Sequence, residues 1–163
     1  MKLKMKIISI DPGDVQSAYL IWDNNKIEDK GICKNDELRE KLSKMENKDG
    51  ALLAVEMMAS YGMAVGKTIF DTCVWIGRFL EIWGKNTKLV YRQDVKMCLC
   101  HSMKAKDSNI RQALIDRFPA TGGGKCPQIG NTKQPGPLFG VSADIWSALA
   151  IAMYVAETEQ KSK

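Results

Sequence analysis

The apolar run Lys6-Ile7-Ile8-Ser9-Ile10 ends in Asp11-Pro12-Gly13, and a second run, Ala51 to Val55, ends in Glu56. Short apolar runs closed by turn residues read as strands. Two strands that each deliver a carboxylate at the C-terminal tip point to a shared acidic site at one edge of a sheet. Towards the other terminus Asp144 opens a third apolar segment, which continues through Met153 and reads as a helix. Acids far apart in the chain are thereby placed to converge.

Carboxylates gathered in a partly buried site repel one another, so such a group is normally tolerated because a cation sits among them. Oxygen ligands with a single histidine in the whole chain favour Mg²⁺ or Mn²⁺ over zinc. The formal net charge is nevertheless +5. A negative site on a basic protein suits an enzyme that attracts a polyanion and hydrolyses it with metal ions, and nucleic acid is the polyanion that fits.

The length of 163 residues is that of one ordinary domain, expected here over residues 1–157 with 158–163 as a frayed polar tail. No stretch reaches the roughly 20 apolar residues of a membrane span, and the lysine-rich start leads into a strand rather than a signal-peptide core, so a cytoplasmic protein with no membrane partner is expected. The five cysteines include no CxxC pair; Cys98-Leu99-Cys100-His101 matches no common zinc pattern, and no zinc is expected.

Lys4–Ile10, Ser17–Trp22 and Ile27–Cys33 read as an antiparallel meander, with Asp-Pro-Gly-Asp and Asp-Asn-Asn as its turns. A helix over 35–45, capped by Asn35 or Asp36, precedes the strand that ends at Glu56. Met63 to Trp83 is apolar over more than one helical face, which suits packing on a sheet and on a second subunit. A strand at 88–91 and helices over 93–100 and 108–118 follow. Residues 119–140 hold Gly122-Gly123-Gly124 and four prolines, and read as a functional or a disordered loop whose Lys125 and Lys133 are placed to touch nucleic acid. The glycine triplet lacks the Gly-Lys-Ser or Gly-Lys-Thr ending of a P-loop.

This order of elements resembles the ribonuclease H-like fold: a mixed five-stranded sheet, made of an antiparallel β1-β2-β3 meander with β4 and β5, flanked by helices. More narrowly the chain resembles the RuvC family of Holliday junction resolvases, especially the compact bacteriophage type. The resemblance rests on Ile8-Ser9-Ile10-Asp11-Pro12-Gly13, Ala54-Val55-Glu56, Lys104-Ala105-Lys106-Asp107 and Ser142-Ala143-Asp144 with the helix that follows. It implies metal ligation by Asp11, Glu56 and Asp144, with two Mg²⁺ ions per site for which Mn²⁺ would substitute, and a bacterial-host cytoplasmic setting. Ser147 stands where the bacterial enzymes carry a further aspartate, and Asp107 is the candidate to replace it in the catalytic set. Lys96 and Lys106 fall near the family's basic residues beside the scissile phosphate, Lys106 being the candidate to offset transition-state charge.

Lys96, Lys104, Lys106, Arg111 and Lys125 are the candidate DNA contacts, and Tyr61 a candidate wedge at a branch point beside Met57 and Met58. Each has a plainer reading: Asp11 as a turn residue, Asp144 and Asp107 as helix caps, the lysines as solvated surface, Met57 and Met58 as core. The expected activity is metal-dependent incision of four-way or otherwise branched DNA by a homodimer formed through 63–83. The alternatives are a ribonuclease H acting on RNA–DNA hybrids and a non-catalytic branched-DNA binder.

Overall fold

The computed structural model describes residues 5–46 and 48–162. Lys4 of the expected first strand and Lys163 of the expected tail lie outside the described residues. Strands β1 (Lys6–Asp11), β2 (Gln16–Asp23) and β3 (Lys26–Lys34) form the meander, while β4 (Ala51–Glu56) and β5 (Thr87–Val90) join parallel to β1 and to each other. The spatial order is β3-β2-β1-β4-β5. Asn24 and Asn25, at φ 49° and 63°, make the tight β2–β3 turn in the left-handed conformation that asparagine tolerates.

Side chains alternate across a strand, and here both faces are covered. Ile8, Ile10, Leu53 and Val55 point to one side, where α1 (Asn35–Lys44) and α2 (Lys67–Trp83) contribute Leu38, Leu42, Ile76 and Phe79. Ile7, Leu52 and Ala54 point to the other, towards α3 (Arg92–Cys100), α4 (Asp107–Ile115) and α5 (Ile145–Lys161). By the same alternation Asp11 shares the face of Ile7 and Ser9, and Glu56 the face of Leu52 and Ala54. Both acids therefore face α5.

Ser9 is fully buried, and its hydroxyl donates to the Ala148 carbonyl at 2.7 Å. This bond ties the first turns of α5 to β1 and brings Asp144 and Ser147 to the Asp11 end of the sheet. A second buried network shapes the β1–β2 turn: Asn35 Nδ2 donates to the Gly13 carbonyl at 2.9 Å, and the Ser17 hydroxyl donates to Asn35 Oδ1 at 2.6 Å. Gly13 is required there because a Cβ would meet the Gln16 carbonyl oxygen at 2.3 Å.

Several boundaries differ from those expected. Helix α2 starts at Lys67 rather than Met63, because Gly66 is extended and the Tyr61-Gly62 pair sits in left-handed backbone. Neither Asn35 nor Asp36 caps α1; Lys34 holds the N-cap position and Asn35 turns inward to the network above. The expected polar tail is helical as far as Lys161, since Thr158 back-bonds to the Tyr154 carbonyl and Glu159 pairs with Lys88 of β5 at 3.1 Å.

Residues 119–140 form a folded loop, not a disordered one. The N–H groups of Gly122, Gly123, Gly130 and Gly136 donate to the carbonyls of Pro127, Gln134, Cys126 and Ile129 at 2.8–2.9 Å, and Leu138 anchors the loop in the core. Gly136 is fixed by close approach: a Cβ would lie 2.4 Å from the carbonyl oxygens of Pro127 and Gln128. Among the described residues no helix is long and apolar enough to cross a membrane.

Ser9→Ala is expected to lower unfolding free energy by about 1 kcal/mol, the usual net worth of one buried hydrogen bond. Urea denaturation checks this, and an unchanged midpoint contradicts the tie between β1 and α5.

Candidate active site

The C-terminal tip of β4 and helices α3, α4 and α5 enclose a cleft of about 420 Å³; Asp11, at the tip of β1, feels the charges of Glu56 and Asp144 but is not part of the cleft wall. That wall includes Glu56, Arg92, Asp107, Arg111, Asp144 and Ser147. Parallel pairing places Asp11 and Glu56 one residue beyond the Ile10–Val55 rung, on strands roughly 4.8 Å apart. Asp11 is half-buried and Glu56 buried.

The electrostatics are strained. Burial first, then the charges of Glu56 and Asp144, push the Asp11 carboxyl up to about 7; Arg92 and the Ser147 hydroxyl oppose the rise. Burial likewise raises Glu56, with Arg92 and Lys96 pulling down and Asp107 pushing up. Asp144 is exposed at the N-cap position of α5 but its side chain makes no capping hydrogen bond, so the helix does not occupy it. The preceding Ala143 has φ 46°, a left-handed conformation that costs a non-glycine residue about 1 kcal/mol or more.

Arg92, the first residue of α3, is the site residue that the sequence analysis missed. Its Nη1 lies 3.7 Å from Glu56 Oε2, and its Nη2 donates to Asp107 Oδ1. Burial works against the guanidinium's charge, but Glu56, Asp107 and Asp11 together outweigh it. The available signal was positional: Val90 pairs with Glu56, so the residues just after β5 arrive beside the acids.

Asp107 is the first residue of α4 and does not cap it; Lys106 holds the cap position, where its N–H donates to the Asn109 side chain at 2.8 Å. Lys96 is half-buried and close enough to Glu56 to influence its charge. Arg111 stacks over Trp146 at 4.9 Å on the cleft wall. Lys104, Lys106, Lys125 and Tyr61 are exposed, and none of them lines the cleft. Met57 and Met58 pack against the core beside α2, as their plainer reading held.

Among the described residues no three His, Cys, Asp or Glu side chains are grouped closely enough to form a ready metal cage. The donor set still suits a hard divalent cation: oxygen ligands whose burial and mutual repulsion disfavour the ionised form of Asp11, a cost that a cation would relieve.

The sequence matches no protein-family model and no curated protein. Solved structures do match in three dimensions. RuvC of Thermus thermophilus superposes with a TM-score of 0.68 at 13% identity, over 97% of each chain. The RuvC fold is the fold of this chain. T. thermophilus RuvC in complex with a Holliday junction substrate also gives a TM-score of 0.68, at 15% identity, over 97% of this chain and 96% of that one. The expected mixed five-stranded sheet flanked by helices thus stands. At such identity the likeness to RuvC is one of fold, and chemistry is read from the residues themselves.

Because the Asp11 carboxyl is raised in the folded state, its contribution to stability is full below its unfolded value near 3.8 and is lost as pH rises through about 7. In metal-free protein, Asp11→Asn is therefore expected to be more stable than wild type at pH 8, by on the order of 2–4 kcal/mol, with the gain vanishing near pH 4. Thermal melts in chelator across that range check the sign.

Proposed function

We propose that this chain is a metal-dependent endonuclease that cuts branched DNA, four-way junctions in particular. The observation that carries the reading is Asp11 raised to about 7 by burial and by the charges of Glu56 and Asp144, the latter two lining the cleft of a basic protein. The RuvC fold, solved elsewhere with a Holliday junction substrate, supports the choice of DNA.

Asp11, Glu56 and Asp144 are the residues that would hold divalent ions, Mg²⁺ or in its place Mn²⁺. Ions bound there would supply activation of water and stabilisation of a leaving 3′ oxygen. The Ser147 hydroxyl steadies the ionised Asp11 carboxylate. Lys96 offsets charge beside Glu56. The exposed Lys104, Lys106 and Lys125, with Arg111 on the wall, would take phosphates and position the backbone without reading sequence. Tyr61, 60% exposed on the loop after β4, would stack on an opened base pair.

Paired incision of two strands needs two sites, which a symmetric dimer supplies. The support lies in α2: Thr72, Ile76, Phe79 and Trp83 are buried, whereas Phe70 and Val74, one turn apart on the opposite face, are 59% and 53% exposed. An apolar face of that kind is a candidate subunit contact.

With Mg²⁺ and a labelled four-way junction, wild type is expected to give paired symmetric nicks, and Asp11→Asn to lower the rate at least about a hundredfold. Cleavage confined to an RNA–DNA hybrid, or tight junction binding with no incision, contradicts the proposal. Val74→Glu is expected to convert dimer to monomer in sedimentation equilibrium with its circular dichroism unchanged; an unaltered mass would move the interface elsewhere.

A further inference from the structure

We propose that Arg92 is a resident counterion of the cleft, a positioning residue that competes with divalent cations for Glu56 and is held in place by Asp107. The inference rests on the reading of Asp11, Glu56 and Asp144 as the cation-binding acids.

The geometry is asymmetric. Arg92 opens α3 and Asp107 opens α4, and the guanidinium spans from one to the other. Its hydrogen bond goes to Asp107, which is 84% exposed, while Glu56 is held at 3.7 Å, beyond hydrogen-bond reach. The buried carboxylate thus receives the field of a positive charge while keeping its lone pairs for another ligand.

A guanidinium cannot shed its charge by titration, so it leaves Glu56 only by turning away or by being outcompeted. Two like charges a few ångströms apart in a half-buried site oppose each other strongly, so a divalent ion at Glu56 must work against Arg92. Asp107 limits that opposition by drawing the guanidinium towards solvent. Without it, the fork would be free to settle on Glu56 in a bidentate pair. Asp107 lines the cleft and its charge reaches Glu56, but at 84% exposure that direct field is weakened by water, whereas its hydrogen bond fixes where the guanidinium sits. Its effect on cation binding should therefore pass through Arg92.

The test is Mn²⁺ affinity of the full chain, read by the electron paramagnetic resonance of free Mn²⁺ with no DNA present. Arg92→Gln is expected to tighten binding about tenfold. Asp107→Asn is expected to weaken it several-fold in the wild-type background and to leave it nearly unchanged in the Arg92→Gln background. If Arg92→Gln impairs folding, Arg92→Lys, which keeps a charge but not the fork, is expected to lie between wild type and that tightening. Arg92→Gln binding that is unchanged or weaker overturns the counterion role, and equal weakening by Asp107→Asn in both backgrounds overturns the tether by making Asp107 a ligand. Wild type that binds no Mn²⁺ overturns this inference together with the cation-binding reading beneath it, whereas failure of Arg92→Gln alone leaves that reading standing.

Discussion

Parallel pairing of β1 with β4 is the constraint on which the site depends. It fixes both strand directions, so both carboxyl-terminal tips, and with them Asp11 and Glu56, arrive at the same edge of the sheet. Register then fixes the face, because a shift of one residue would turn either acid towards α1 and α2. The remaining pieces are delivered by elements that dock on that face. The buried Ser9 hydroxyl holds α5 against β1 and so places Asp144 and Ser147, and β5, paired to β4 through Val90, places Arg92.

Such an edge is assembled against its own electrostatics. Burying Asp11 beside two further carboxylates raises it to about 7, and Ala143 is held in left-handed backbone immediately before Asp144. Both features destabilise the fold locally, and they persist because the surrounding sheet is buried on both faces and over-determines their positions. Arg92 gives partial relief. A cleft that is uncomfortable when empty and relieved by positive charge is suited to binding cations and the phosphates they accompany.

How much of this was legible in the sequence follows from the range of the forces involved. The acids at strand tips were legible because apolar runs of the right length end in them, and the meander because its turns carry Asp-Pro-Gly and Asn-Asn. Arg92 was not, because its role exists only once β5 lies beside β4, and nothing local distinguishes it from a surface arginine. Asn35 looked like a cap because caps are local, whereas its bonds to Gly13 and Ser17 span the first turn of the sheet. Composition left residues 119–140 open between a functional and a disordered loop, because what orders them, the close backbone approach of their glycines, is visible only in the folded chain. The last turn of α5 looked frayed because its stabilising partner, Lys88, is remote in sequence.

The central claim is that the fold buries Asp11 in the field of neighbouring carboxylates. Its most direct test is titration of the Asp11 carboxyl carbon by nuclear magnetic resonance in metal-free protein, with Asp11→Asn to assign the signal. The expected midpoint is about 7, well above the ordinary 3.8. A midpoint in the ordinary carboxylate range would contradict the convergence of the three acids, and with it the reading of the cleft as a site that calls for a cation.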